Sequence, residues 1–452
     1  MIVRPEPSVP SEPDSICVDY ARVGNVATRA VTVGDQVVLG ERSLLSTELQ
    51  EEPFAGWWRS YISEQARSSG NAGQPIRFMD LFSSVGGLSL GAMDAITAIG
   101  RRPVPMLAAD VDEGALQVYK ANVRPRTTIT ESVRQMLDFR VSGAGETAKF
   151  AYRPVVSDER LAAQENIDLI LAGPPCQGHS SLNNYSRHDD PKNLLYLTVP
   201  AAAVALKARH LVIENVPNVV ADKHGVVQTT IALLRSEGYK VSYGILHADR
   251  IGWPQTRKRF FLVASKETQP MDLGALASAM RREPLPVSWL ISDLLERGLD
   301  SSDVMNSVPE LSAENRARVS WLFDNDEYTL PNEIRPDCHK NGTTYSATYG
   351  RMYGDRPAPT ITGGFLTPGR GRFLHPTARR VLTPREAARV QGFPDWFDFV
   401  PNPSQPPSRS EVGRWIGNAV PSILGYAATL AALQGELSAA RADELEIATH
   451  AA

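Results

Sequence analysis

From Ile76 onward the chain alternates short apolar runs with segments whose apolar residues recur every three to four positions. Short apolar runs bounded by Gly, Pro or polar residues predict buried strands, and the 3.6-residue recurrence predicts helices with one apolar face. The strands are "IRFMDLF" (76–82), "PMLAAD" (105–110), "IDLILAG" (167–173), "HLVIENV" (210–216), "KVSYGILHA" (240–248) and "RFFLVAS" (259–265). "GGLSLGAMDAITAIG", "EGALQVYKANV" and "VVQTTIALLRSEG" are helices, and "NLLYLTVPAAAVALKA" is a helix interrupted by Pro200. Strands alternating with helices predict an α/β fold built on a mostly parallel, doubly wound sheet.

The rhythm differs on either side. Residues 1–74 form an N-terminal extension that opens on a loose Pro/Ser arm, continues with one or two strands in "ARVGNVATRAVTVGDQVVLG" and ends in a short helix and linker. Residues 75–265 form the α/β domain, and residues 266–395 an irregular domain rich in Pro, Gly, Asn and Arg. Residues 396–452 form a C-terminal segment that returns to the α/β domain and closes on the amphipathic helix "SILGYAATLAALQGEL". "TPREAARVQGF" predicts a helix capped by Thr383 with Pro384 at its first position.

Composition narrows the function. The 42% hydrophobic and 22% charged residues are those of an ordinary globular protein, with no apolar run long enough to span a membrane and no N-terminal signal core, which predicts a cytoplasmic location. Cys17, Cys176 and Cys338 form no CxxC pair, so neither a disulfide framework nor a metal site is expected. The net charge of −4 hides an uneven distribution: residues 335–385 carry nine Lys and Arg against two Asp, a local +7. That stretch is either a solvated basic face or a surface for nucleic acid.

Ligands of a doubly wound sheet bind beyond the carboxyl ends of its strands, and four candidates fall there. "DLFSSVGGLSLG" (80–91) is a strand, a small-residue turn and a helix start, suited to a negative group, but it is not the G-x-G-x-x-G dinucleotide fingerprint. Asp110 ends the next strand, where a carboxylate either accepts from ribose hydroxyls or caps the following helix. Cys176 follows Pro174 and Pro175, which stiffen the chain and fix a candidate nucleophile in place. Glu214 ends an apolar run, where burial raises its proton affinity and suits it to proton donation.

These elements, in this order, resemble the cytosine-5 DNA methyltransferase family. "GPPCQGHS" is similar to the family's catalytic loop, "ENV" to its glutamate motif and "QTRKRFFLVAS" to its basic strand. "RVLTPREAARVQGFPDWF" with "GNAVPS" is similar to its C-terminal signature. The resemblance implies a Rossmann-like methyltransferase domain with a smaller DNA-recognition domain. It implies methyl transfer from S-adenosyl-L-methionine to carbon 5 of a cytosine flipped out of double-stranded DNA. Cys176 would add to carbon 6, Glu214 would hold and protonate ring nitrogen 3, and Arg257 and Arg259 would contact the base carbonyl and support the loop. Phe82, Ser84, Val85, Gly86, Gly87, Asp110, Val111, Pro174, Asn418 and Ala419 would surround the cofactor. Gln177, Ser180, Arg370 and Arg372 would contact DNA, with the target sequence read within 266–355. The family's monomeric action and its restriction or defence setting come with the resemblance.

The chain departs from the family pattern at Ser84, where Gly is usual, at His179, where Phe is common, and at Val111, which replaces a frequently aromatic residue. A tRNA methyltransferase on the same catalytic domain is the nearest alternative. A binding protein that has lost catalysis is opposed by the presence of Cys176, Glu214, Arg257 and Arg259. A nicotinamide oxidoreductase lacks its glycine fingerprint.

Overall fold

The computed structural model describes residues 15–66, 73–175, 195–340 and 347–437. Its centre is a seven-stranded sheet made of β4 (Pro75–Leu81), β5 (Arg102–Ala109), β6 (Thr127–Ile129), β7 (Leu169–Ala172), β8 (His210–Asn215), β9 (Lys240–His247) and β10 (Lys258–Ser265), in the order β9-β10-β8-β7-β4-β5-β6. The five strands β4 to β8 run parallel, and β10 inserts antiparallel between β8 and β9. The chain winds outward from β4 to β6 and then crosses back to β7, so strand order reverses between β4 and β7. That reversal opens a crevice at the carboxyl edge. Because β10 is antiparallel, its amino end lies at the same edge, which brings Arg259 beside the end of β8.

The inner strands are largely apolar because both of their faces are covered. Phe78, Leu169, Leu171 and Val212 join the cluster under α2 (Gly87–Ala98), α3 (Glu113–Val123) and the C-terminal helices. Met79, Leu81, Ile170, Ala172, Leu211 and Ile213 pack on the opposite side beneath α4 (Thr198–Ala205) and α5 (Val226–Ser236). Pro200 does not interrupt α4. It occupies the third helical position, where the missing N–H has no acceptor within the helix.

The N-terminal region is more ordered than one or two strands and a linker. β1 (Ile16–Val23), β2 (Val26–Val33) and β3 (Gln36–Ser43) form an antiparallel sheet covered by α1 (Pro53–Ser63). Arg29 is buried and makes two hydrogen bonds of 2.7 and 2.9 Å to Asp94 of α2, between the rings of Trp57 and Tyr426. Removing one partner of such a buried pair costs about 3–5 kcal/mol, so this region is a fixed part of the fold. Trp58 is also buried, edge-on to Trp253 and Tyr426. The extreme N-terminal arm lies outside the described residues.

Beyond β10 the chain is irregular but holds α6 (Val287–Ile291) and α7 (Ala313–Asp324), the latter with only Val319 and Leu322 fully buried. It then forms α8 (Pro384–Val390), α9 (Arg409–Asn418) and α10 (Ser422–Ala432). Thr383 caps α8 as the sequence predicts, in a reciprocal pair with Glu386. Among the described residues no helix is long and apolar enough to cross a membrane.

Candidate active site

Four chain segments meet at the crevice. The first is the turn after β4. Phe82, Ser84 and Gly86 all adopt left-handed backbone, with φ of 62°, 47° and 96°. The turn is fastened to the end of β5: Ser83 N–H donates to the Ala109 carbonyl at 3.1 Å and Ser84 N–H to Asp110 Oδ2 at 2.7 Å. Asp110 Oδ1 accepts from Asp112 N–H at 2.9 Å. Asp112, not Asp110, caps α3, so Asp110 faces the crevice while tying two strand-end loops together. Burial raises its proton affinity, and the N–H donors of Asp112 and Ser84 act against that. Val85 is buried, whereas Val111 is 72% exposed, an apolar side chain presented at the rim.

The glycines of this turn serve packing first. A Cβ at Gly86 would lie 2.9 Å from the Tyr119 ring, and one at Gly87 would lie 2.4 Å from the Val420 carbonyl oxygen. Gly87 therefore lets the returning C-terminal segment approach the turn closely. The same segment places Asn418, exposed, and Ala419, buried, at the end of α9. Beneath the turn lies a group that pattern reading passes over. Asp80 is 1% exposed and accepts from Ser89 Oγ at 2.6 Å, and Ser89 Oγ also lies 2.7 Å from the Tyr119 hydroxyl. Burial pushes the Asp80 carboxyl up to about 8. Its only sequence signal is a charge inside the apolar run "IRFMDLF". Ser83 Oγ, also buried, has no hydrogen-bond partner among the described residues.

Ser84 carries a side chain where the backbone favours glycine, at a cost of roughly 1–2 kcal/mol. Ser84→Gly exchanges that strain for a smaller loss of chain entropy. It is expected to raise unfolding stability by about 0.5–1 kcal/mol, read by urea denaturation.

The second and third segments follow β7 and β8. Asn215, buried at the end of β8, donates from Nδ2 to the Pro174 carbonyl at 3.1 Å and accepts from Val216 N–H at 2.8 Å. The proline pair is thus anchored to the neighbouring strand at the point where the chain runs on to Cys176. Cys176, Gln177, His179 and Ser180 lie outside the described residues. Gly173 sits between the two halves of the crevice: a Cβ there would be 3.7 Å from Glu214 Oε2 and 3.8 Å from the Phe82 carbonyl oxygen.

Glu214 is 8% exposed, and its Oε1 lies 2.9 Å from Arg259 Nε. Burial raises its proton affinity against the opposing pull of Arg259 and Arg257. The carboxyl is therefore oriented by one oxygen, leaves the other toward Gly173, and retains a proton more readily than an ordinary glutamate.

The fourth segment is the approach to β10, where the expected arginine pair separates. Arg259 lies in the strand and faces Glu214. Arg257 precedes the strand and is 2% exposed. It donates to the carbonyls of Ile361 at 2.5 Å, Gly417 at 3.1 Å and Ala419 at 3.0 Å. Its cation neutralises the carbonyl end of α9, so it holds the C-terminal return. Gln391 assists by donating to the carbonyls of Ile416 and Ala419, and Gln255 donates to Gln391.

The basic stretch divides in the same way. Arg372 donates to the carbonyls of Tyr328 and Arg351 and to Thr329 Oγ1, so it braces the fold. Arg351, Arg379 and Arg380 pair with Asp326, Asp324 and Glu386. Arg356 and Arg370 stay exposed.

A strand reversal with the Asp110 carboxylate on one side and the buried, proton-retaining Glu214 on the other is an arrangement suited to a group-transfer enzyme that binds two substrates. The family model for C-5 cytosine-specific DNA methylase matches residues 76–431. The chain is 41% identical over 355 residues to the type II methyltransferase M1.BsuMI of Bacillus subtilis, covering 78% of this chain and 79% of that protein. It is 30% identical over 353 residues to the type II methylase M.HgiDII of Herpetosiphon aurantiacus, covering 77% and 92%. The crystal structure of S. pombe Dnmt2 methyltransferase superposes with a TM-score of 0.52 at 16% identity, covering 80% of this chain and 99% of that one.

The chain belongs to the C-5 cytosine-specific DNA methylase family, and it is a DNA (cytosine-5-)-methyltransferase. Its methyl donor is S-adenosylmethionine. Ser83 Oγ, without a partner among the described residues, the Asp110 carboxylate and the exposed Val111 would be placed to hold the carboxylate, ribose and adenine of that molecule.

Proposed function

We propose that Cys176 is the nucleophile and Glu214 the proton donor for methylation of a cytosine flipped out of a specific double-stranded DNA site. The observation that carries this is the Glu214 carboxyl, fixed by Arg259 and turned toward the strand end that leads to Cys176. Carbon 5 of cytosine is a weak nucleophile until a thiolate adds to carbon 6. Glu214 donates to ring nitrogen 3 as the sulfur adds, so negative charge does not build up on the ring. Bound S-adenosylmethionine supplies an electrophilic methyl group. Phe82, Ser84, Val85 and Asp110 line its side of the crevice, with Asn418 and Ala419 closing it. Arg259 holds Glu214 in register, and Arg257 keeps the C-terminal segment over the cofactor side.

In this reading residues 75–265 form a Rossmann-like catalytic domain and residues 396–452 complete it. Residues 266–395 hold the duplex and read its sequence, with Arg370 and Arg356 exposed for phosphate or base contacts. Relatives named as type II methyltransferases support a restriction–modification setting. Flipping the base costs a few kcal/mol, which the protein recovers through such contacts.

Base-resolution mapping of 5-methylcytosine in plasmid DNA from cells expressing the chain tests the proposal. Methylation confined to one short motif is the expected result. Unmethylated DNA together with methylated RNA from the same cells would overturn the choice of substrate.

A further inference from the structure

Four side chains of the irregular domain lie in one stack. The rings of Tyr328 and Tyr353 are face to face, with centroids 4.2 Å apart and planes inclined by 16°. The Arg351 guanidinium lies 4.8 Å from the Tyr328 centroid, and that of Arg356 lies 4.3 Å from the Tyr353 centroid. Tyr328 occupies one face of Tyr353, so Arg356 covers the other and ends the stack.

The inner end of the stack is anchored. Arg351 donates to the Pro376 carbonyl at 2.7 Å and pairs with Asp326, and Arg372 donates to the Tyr328 carbonyl at 2.6 Å. Arg356 differs: its side chain is 64% exposed, its nearest acid, Asp355, stands 4.0 Å away, and its guanidinium makes no hydrogen bond among the described residues. Stacking on Tyr353 fixes the plane of this guanidinium and leaves its N–H edge to solvent. A planar fork held before its ligand arrives loses little freedom on binding, and it matches two acceptors that share a plane.

The stack stands beside the base side of the crevice. Ala358 N–H donates to the Pro254 carbonyl at 2.9 Å, and the Ala358 carbonyl accepts from Thr256 N–H at 2.8 Å. Arg257, the next residue, donates to the Ile361 carbonyl, so residues 358–361 run alongside the approach to β10, which leads to Arg259 and Glu214. Arg356 is two residues from Ala358, at most about 7 Å of extended chain. Its own carbonyl accepts from Val287 N–H at 2.9 Å, at the start of α6.

We propose that Arg356 reads a guanine of the target site, its guanidinium donating in the duplex major groove to O6 and N7 of one base. The inference rests on the reading that residues 266–395 hold the duplex. Two acceptors on one base edge are what guanine presents there, and the arginine fork pairs with both at once. A phosphate asks for charge alone. Arg370, exposed and with no aromatic ring against it among the described residues, supplies charge without a fixed plane.

The test compares Arg356→Lys and Arg356→Ala with the wild-type protein once its methylated motif has been mapped. Single-turnover methylation is measured on the cognate duplex and on duplexes in which each G·C pair other than the target pair is replaced in turn by A·T. Both variants are expected to lose about 10–100-fold of discrimination at one pair only. Arg356→Lys keeps the charge and loses the fork, so the salt dependence of its DNA binding should match wild type. Tyr353→Leu removes the platform and should erode discrimination at that same pair with Arg356 intact. Equal slowing on every duplex, with the slope of log affinity against log salt reduced by about one in Arg356→Ala, would overturn the proposal and mark a phosphate contact. Unchanged discrimination in Arg356→Ala, or full discrimination in Arg356→Lys, would also overturn it. Loss at every pair together with a lower melting temperature would do the same, marking the stack as structural. A wild-type protein that methylates RNA and no DNA would instead remove the reading beneath it.

Discussion

Cys176→Ala is expected to abolish methyl transfer, by at least about 10⁴-fold, while S-adenosylmethionine affinity stays within about threefold of wild type. The separation follows from where the two functions sit. In the proposed reading the cofactor side comprises the turn after β4, Asp110 and the end of α9, with the turn fastened by backbone bonds from Ser83 and Ser84. The base side begins at Gly173, and the Asn215 tether on Pro174 fixes the chain before the cysteine is reached. Alanine at 176 leaves that tether in place and removes only the atom that must bond to carbon 6. Duplex DNA carrying 5-fluorocytosine provides the check, because its carbon 5 has no proton to lose after methylation. Wild-type protein should become covalently trapped and the variant should not. Trapping of the variant, or turnover above the stated limit, would exclude Cys176 as the nucleophile.

Six strands of the central sheet were legible because they are largely apolar, whereas β6 was missed because its three residues, Thr127–Ile129, are too few and too polar to read as a run. α3 was legible from the apolar stripe of "EGALQVYKANV", but its cap falls on Asp112 and not on Asp110, the residue the strand end offered. β3 was not recognised as a separate strand because its exposed positions include Val37 and Leu39, which blur the alternation. α7 escaped because it buries only two residues fully and shows no apolar stripe. Within the site, the ends of parallel strands could be read off as ligand positions, which singled out Asp110 and Glu214. Side-chain direction could not. The two-residue spacing of Arg257 and Arg259 implies a shared face only if both lie in the strand, and β10 starts at Lys258. The local +7 charge likewise says nothing of which guanidiniums are already spent on carbonyl oxygens, as that of Arg372 is. The Ser83 hydroxyl, without a partner among the described residues, gives no signal in sequence at all, since an unpaired polar atom is defined by what surrounds it.

Glu214→Gln should lower the rate of methyl transfer by roughly 10²–10⁴-fold with DNA affinity little changed. The amide keeps the shape of the carboxyl and can still accept from Arg259 Nε, so packing at the end of β8 is preserved. What it lacks is an acidic proton for ring nitrogen 3 as the thiolate adds. The same substitution has a second, independent readout in stability. Glu214 has its folded proton affinity raised above the ordinary 4.5, chiefly by burial. Its contribution to stability is therefore fully present below pH 4.5 and is lost as pH rises through the higher folded value. Glutamine does not titrate, so the stability of wild type minus variant should fall across that window and level off above it. Urea denaturation of both proteins from pH 4 to 9 measures the difference, with about 1.4 kcal/mol expected for each unit by which folding raises the pKa. A difference that instead grew with pH would mean that Arg259 outweighs burial and holds Glu214 ionised. The site would then lack its proton donor in the resting enzyme, and protonation of ring nitrogen 3 would have to come from elsewhere.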